Sequence, residues 1–502
     1  MGVYNLIGGV LMKLNMHEYK DRVKACWIGK NIGGTMGGPY EGYKGVLDIQ
    51  GFSTPENVVL PNDDLDLQIV WLQAVARLGA RGVNATTLGE FWLTFVAPYW
   101  NEYGRGKTNM RMGILPPLSG DAFNTWKHSN GGWIRSEIWA CLAPGAPDVA
   151  VKYAREDASV DHGYGEGTFA AMFTAALESA AFVVRDLKTL IQIALSRIPA
   201  DCRTAKSVRL AMDCFEQGMD YRQARNVIFE ANSDIGKGWF EAPSNIAYAV
   251  IGLLWGNGDF KKSMIYTINC GDDTDCTAGL VGSVLGIMGG TESIPQDWKK
   301  YIGDAIATVA IATGVFYGIP ATCTEMTEMI CRQVPHFLFD TKADVELTDG
   351  NSEIPEDTVE KMMKPDALLA VYDPFYPNSY KIDFNYASAY VIFDGDPTIE
   401  PNETKKVKVH FVNHVPEYGN IQYFLKLRFL EDGKFSVRGP KTVLLSRNSP
   451  FDTEFFHDQP YADAEFEITA GDTVEPTNRV VLEVTADNRV TAAYIPVILL
   501  GK

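Results

Sequence analysis

The sequence predicts two architectures in one chain, an all-α domain over residues 16–340 and an all-β sandwich over residues 373–502. Three observations predict them. The ten tryptophans and eight cysteines all precede residue 340. Up to Phe339, apolar residues recur at three- and four-residue spacing, the pattern of helices that bury one face. Beyond Asp373 the period shortens to alternation, with β-branched and aromatic residues between turn signals.

Residues 1–15 are mildly apolar, but no basic residue precedes the apolar run, so they fail as a signal peptide. Leu6 stands where a myristoylation signal needs Ser or Thr. The segment reads as a flexible leader. Helical periodicity is clearest over Asp64–Leu78, Thr86–Phe95, Gly167–Val184, Thr204–Gln217, Ser244–Trp255 and Asp273–Met288. The acid- and proline-bearing text of residues 341–372 reads as a linker with one short helix. Strands are expected at Ala389–Phe393, Lys405–Val412, Ile421–Phe429, Ala464–Ile468 and Val480–Val484. Asp394-Gly395, Asn402 and Asp432-Gly433 mark the turns, and this density of short strands is that of a sandwich. Its strands contribute neither acidic cluster described below, so deletion near Lys364 is expected to spare the site. Nothing in the sequence says what the β-domain touches.

Acidic residues outnumber basic ones 63 to 45, for a net charge of −18. Such a surface repels phosphodiester backbones and anionic lipid, which excludes nucleic acid and membrane as partners. The uncharged stretch Cys276–Thr291 is too short for a membrane span and reads as a buried helix. The cysteines form no CxxC pair, as expected of reduced core thiols in a cytoplasmic protein.

Two acidic clusters carry the chemistry. Asn62-Asp63-Asp64-Leu65-Asp66 opens one amphipathic helix, and Asp272-Asp273-Thr274-Asp275-Cys276 opens the uncharged one. An acidic start complements the helix dipole, and one such cluster could be no more than that. Three carboxylates so close exceed any capping need, however, and their repulsion demands a cation or a proton. Oxygen donors without histidine favour Mg²⁺, Mn²⁺ or Ca²⁺ over zinc. Independently, Ala25, Gly29, Gly33 and Gly37 recur at every fourth position, as do Ala278, Gly282, Gly286 and Gly290. Glycine costs a helix about 1 kcal/mol against alanine. Such stripes mark close approach of another backbone, although the first could also be loop around residues 33–38.

Other motifs weaken on inspection. Gly106-Lys107-Thr108 lacks the first glycine of a phosphate loop, since Asn101 stands there, and no helix is expected after it. Gly163-Tyr164-Gly165-Glu166-Gly167 follows no strand, so it is no dinucleotide fingerprint. His162 is placed in a polar loop as a substrate contact. His410, His414 and His457 read as surface or core residues of the β-domain.

From about Tyr19 to Gly290 the chain resembles the ADP-ribosylglycohydrolase family, of the dinitrogenase reductase-activating glycohydrolase type. The resemblance lies in Asp21-Arg22-Val23-Lys24 through Gly29, Gly33, Gly37 and Glu41-Gly42, and in Asn62-Asp63-Asp64. It continues in Asn130-Gly131-Gly132 through Arg135, in Ala158-Ser159 with His162, and in Gly271-Asp272-Asp273-Thr274-Asp275 with Gly282 and Gly286. It implies a compact helical bundle holding two divalent cations, Mg²⁺ first, with Mn²⁺ or Ca²⁺ as alternatives. Asp63, Asp64, Asp273 and Asp275 would be ligands, with Asn62 and Cys276 as weaker positions. Glu41 would be the catalytic carboxylate or gate, with Asp63 and Asp64 beside it, and Asn130, Gly131 and His162 would orient a ribosyl substrate.

The departures define an outlying branch whose substrate need not be an ADP-ribosylated protein. Asn62 replaces Thr or Ser, and Leu65 a Thr. Cys276 stands where a hydroxyl normally reaches a metal, and a thiol is a poor Mg²⁺ ligand. Gly34 replaces an aspartate that makes a distal contact to substrate. The implied activity is metal-dependent hydrolysis of a ribosyl glycosidic bond, through a transition state with oxocarbenium character. An impaired ADP-ribose or carbohydrate binding module is the alternative. An isoprenoid synthase is disfavoured, because the clusters read DDxD rather than DDxxD and basic residues to clamp a diphosphate are missing around the first.

Overall fold

The computed structural model describes residues 11–235, 239–367, 369–384, 386–414, 422–430, 433–446, 459–487 and 489–502. His457 and the first ten residues lie outside these. The chain divides into two compact units, one of residues 1–102 and 125–365, the other of residues 103–124 and 366–502.

The first unit is helical. Its site-building helices are α1 (Met16–Gly37), α2 (Asp63–Gly82), α3 (Glu137–Leu142), α4 (Pro147–His162), α5 (Ala242–Gly256) and α6 (Thr274–Gly289). Asn15 caps α1, its side chain accepting from the amides of His17 and Glu18. The helix then runs unbroken through Gly37, so its glycines are helical rather than a loop. The reason is α6. A Cβ on Gly29 would overlap the carbonyl of Gly282, one on Gly33 the backbone of Ala278 and Gly279, and one on Gly37 that of Thr274 and Asp275. In return, Gly286 admits Ala25. The two stripes therefore pack against each other, backbone to backbone, and the end of α1 lies beside the start of α6.

Residues 12–15 and part of the segment 341–372 are more ordered than their composition suggests. Met12–Asn15 forms strand β1, which pairs in parallel with β2 (Val345–Thr348), Met12 opposite Val345. The alternation of Met12 and Leu14, both buried, supplies the energy that a short polar-looking segment otherwise lacks. Two short helices, Thr358–Met362 and Leu369–Tyr372, follow. Gly106-Lys107-Thr108 lies within a helix, Asn101–Arg111, which is not the strand–loop–helix setting of a phosphate loop. Among the described residues no helix is long and apolar enough to cross a membrane.

The second unit is a sandwich of two sheets. The first comprises β3 (Ser379–Phe384), β4 (Ala387–Phe393), β6 (Thr404–Asn413), β8 (Phe435–Arg438) and β10 (Tyr461–Ala470), in the order β3-β4-β6-β10-β8. The second comprises β5 (Thr398–Ile399), β7 (Tyr423–Leu430), β9 (Thr442–Leu445), β11 (Thr477–Ala486) and β12 (Ala493–Gly501), in the order β5-β12-β11-β7-β9. All pairs are antiparallel except β5 with β12, where Leu500 faces Thr398. The alternating burial of β11 shows one face turned to the core.

Ile114, Leu118 and Ala122 belong to that core, packed with Val391, Phe411 and Leu482. The expectation that residues from 373 on form a self-contained domain therefore needs correction, because an apolar strip from residues 103–124 completes the sandwich. Truncation near Lys364 should leave this strip without its strands. The truncated chain is expected to aggregate on size exclusion and to bind an apolar dye, and replacing residues 103–124 by a short polar linker should restore a monodisperse peak. A soluble, dye-silent product of the simple truncation would contradict this packing.

Candidate metal centre

Three chain segments supply the carboxylates. Asn62 is the N-cap of α2, its Oδ1 accepting from the amide of Asp64 at 2.8 Å. The oxygen expected to ligate a metal thus has a structural duty, while its Nδ2 fills the space that a Cβ on Gly34 would need. The aspartates of this cluster then diverge. Asp64 and Asp66 are fully buried and Asp63 is half-buried. Asp66 turns away to accept the amides of Val309 and Ala310, although burial still pushes its carboxyl up to about 7.

In the second cluster Gly271 and Asp272 both take the left-handed conformation, φ 71°. At Gly271 this is compulsory, since a Cβ would strike the carbonyl of Gly45. The turn sends Asp272 outward to Lys44, with Nζ and Oδ1 2.6 Å apart, and leaves Asp273 and Asp275 facing inward. The Glu41 loop is bound to the same turn. The amide of Gly42 donates to the Asp272 carbonyl at 2.8 Å, and that of Asp272 to the Tyr43 carbonyl at 2.6 Å.

Two groups of donor atoms result, each with all its members within 4.8 Å of one another: Asp64, Asp275 and Cys276, and Glu41, Asp273 and Asp275. Asp275 belongs to both. Asp63 belongs to neither, though its charge, after partial burial, raises the Glu41 carboxyl. Burial, aided by Asp273 and Glu41, raises Asp275 far above the usual carboxylate range. Burial also raises Asp64 against the opposing pull of Lys30, and pushes Asp273 up to about 7. Asp275 Oδ1 is buried without a hydrogen-bond partner. Such an atom is costly unless a cation or proton meets it, so the residues fit a hard cation.

The predicted substrate residues are placed differently from expectation. Asn130, on a buried 3₁₀ turn, donates from Nδ2 to Asp273 Oδ2 at 2.6 Å and accepts from Trp133 Nε1 at 2.9 Å. Its amide orients a carboxylate of the cluster. Gly131 packs against the carboxylate of Glu102, which would have to move if a Cβ were added. His162 is not on a loop. It is the last residue of α4 and fully buried, with Nε2 3.1 Å from Ser129 Oγ and Nδ1 2.9 Å from Asp161. Asp161 is in turn held by Arg135 at 2.6 Å, so the polar text around His162 is buried rather than solvated.

The family model of ADP-ribosylglycohydrolase matches residues 15–321, more than half of the chain, and spans both acidic clusters. The chain belongs to the ADP-ribosylglycohydrolase family. Among solved structures it is similar to one titled "ADP-ribosylglycohydrolase-related protein complex", at 19% identity and a TM-score of 0.42, over 64% of this chain and 99% of that one. No curated protein matches. The family match ends before the helix Cys323–Thr341 and before the sandwich strands.

Sequence reasoning missed the residues behind this ADP-ribosylglycohydrolase centre. Lys30 is 1% exposed, its ammonium 2.6 Å from Glu137 Oε1, 3.5 Å from Asp64 Oδ2 and 2.8 Å from the Ile134 carbonyl. Gln68 donates to Glu137 Oε2 at 2.8 Å and to the backbone carbonyl of Asp64 at 2.9 Å. Asn245, on α5, accepts the amide of Asp273 at 3.2 Å. The available signal was Lys30 itself, a charge one residue beyond Gly29 on the helix that carries the glycine stripe.

Proposed function

We propose that this family member hydrolyses a ribosyl glycosidic bond with the help of two divalent hard cations, removing ADP-ribose or a related ribosyl group from a conjugate. The observation that carries the reading is Asp275, shared by two convergent donor groups and left with an unpartnered buried oxygen. Asp64, Asp275 and Cys276 would hold one cation, and Glu41, Asp273 and Asp275 the other, with Asn62 and Asp63 flanking them. When bound, such cations supply Lewis acidity, gripping ribose hydroxyls and lowering the pKa of a water. Mg²⁺ suits the oxygen donors best.

The chain's own residues do the rest. Asn130 locks the rotamer of Asp273 through a 2.6 Å hydrogen bond, so this carboxylate is preorganised. Glu41 is exposed at the rim, so a carboxylate oxygen left free by the cation can accept a proton from the attacking water. The described cysteines are all free, and all but Cys331 are buried, which fits a reducing cytoplasm.

The test is a metal-supplemented activity screen against arginine-, serine- and small-molecule-linked ADP-ribose. Release of ADP-ribose that stops on chelation is the expected result. Tight ADP-ribose binding without turnover of any conjugate would favour the binding-module reading, to which Cys276 lends some support. Its thiol donates to Asp64 Oδ1 at 3.4 Å, and burial, with Asp273 and Asp275, holds it protonated. Cys276→Ser should therefore tighten Mg²⁺ binding, at a packing cost of about 1 kcal/mol. Titration of both proteins decides it, since equal dissociation constants would place residue 276 outside the coordination sphere.

A further inference from the structure

We propose that Lys30 is a built-in cation that makes the two metal positions unequal, so that the Glu41–Asp273–Asp275 position binds its metal tightly and the Asp64–Asp275–Cys276 position binds weakly. The proposal rests on the two-cation reading above and adds a residue to it.

Both oxygens of Asp64 already lie beside protein groups, although Oδ2 has no hydrogen-bond partner. Oδ1 accepts from the Cys276 thiol at 3.4 Å and Oδ2 faces the Lys30 ammonium at 3.5 Å. A divalent ion on Asp64 must therefore share that carboxylate with a fixed positive charge, and its third donor is sulfur. The other position has three carboxylates and no thiol. The cation close to that side, Lys44, is paired with Asp272 instead.

Lys30 cannot move its charge away. It is 1% exposed, on a helix whose neighbouring glycines lie in backbone contact with α6. Glu137 Oε1, at 2.6 Å, holds the ammonium from the far side, and Gln68 holds Glu137. The ammonium is compensated on two sides, by Glu137 Oε1 at 2.6 Å and Asp64 Oδ2 at 3.5 Å. Glu137 thus draws Lys30 back from Asp64 and sets how much of its charge the metal meets.

That arrangement predicts opposite signs for two variants, which packing damage alone does not produce. Mn²⁺ binding to the full-length protein would be followed by calorimetry and by electron paramagnetic resonance. Wild type should show one strong and one weak class. Lys30→Met/Glu137→Gln removes both buried charges together and should tighten the weak class at least about tenfold, leaving the strong class within about twofold. Glu137→Gln alone frees Lys30 toward Asp64 and should loosen the weak class further. Two equal classes in wild type, a weak class shifted in the same direction by both variants, or one unmoved by Glu137→Gln would overturn the proposal while leaving the metal centre intact. If the double variant fails to fold, as judged by circular dichroism, the single variant decides. Absence of any Mn²⁺ binding to wild type would instead overturn the two-cation reading itself.

Discussion

Asp275→Asn is expected to abolish metal-dependent turnover, because one side chain serves both donor groups. Loss of a residue that merely orients a ligand typically costs 10–100-fold in metal affinity, so loss of the shared ligand should cost about a thousandfold or more in activity. The fold should survive. Asp275 is buried with an unpartnered oxygen beside other carboxyls, and its pKa is pushed far upward by that burial and by Asp273 and Glu41. A neutral amide of the same size removes this repulsion, so the metal-free variant should melt at or above the wild-type temperature. Calorimetry with Mn²⁺, run beside a thermal melt, separates the two effects. Retention of two Mn²⁺ per chain would show that Asp275 is not the bridge.

Gly282→Ala is expected to have the largest effect on stability. The added methyl would be driven into the carbonyl of Gly29, and Gly29 is equally closed by the carbonyl of Gly282. Backbone cannot yield as a flexible side chain can, so α1 and α6 must separate along the whole stripe. Overpacking of this kind costs about 3 kcal/mol or more. Separation would also draw Gly37 from Thr274, whose hydroxyl donates to the Gly37 carbonyl at 2.8 Å, and so carry Glu41 away from Asp273 and Asp275. Chemical denaturation should report the stability loss and metal titration a matching drop in affinity. Gly218, whose would-be Cβ meets nothing within 4 Å, is the comparison position for crowding, although its φ of 69° adds backbone strain of its own. Wild-type stability in Gly282→Ala would show that these helices are not in backbone contact.

Most elements were legible because they depend on local periodicity. The predicted helix Ser244–Trp255 is observed at Ala242–Gly256 and the predicted strand Lys405–Val412 at Thr404–Asn413. The first predicted helix, Asp64–Leu78, ends where expected: Gly79 leaves helical geometry at φ 68° and ψ 167°, and only a short kinked turn continues to Gly82. The segments misread were short or polar. β1 is stabilised by a partner more than three hundred residues away, which no local window contains. The helix Asn101–Arg111 carries Gly104, Gly106 and few apolar residues, so its period is weak. His162 was read as a loop residue because Asp161 and the following glycines look solvated, whereas Arg135 neutralises Asp161 inside the protein.

By itself the sequence determined the order of an α unit and a β unit, the two acidic helix starts and the two small-residue stripes, all of which are properties of contiguous residues. It also carried the family resemblance, since that lies in ordered short motifs. Tertiary structure alone decided which carboxylates converge. Asp64, Asp273, Asp275 and Glu41 meet, Asp66 goes to the amides of Val309 and Ala310, and Asp272 goes to Lys44. The physical reason is that direction at a helix start depends on one or two backbone angles, such as φ 71° at Asp272, and on which distant donor reaches each oxygen first. Lys30 belongs to the same class of fact. Its letter is visible in the sequence, but its charge bears on Asp64 only because glycines let α1 lie directly against α6.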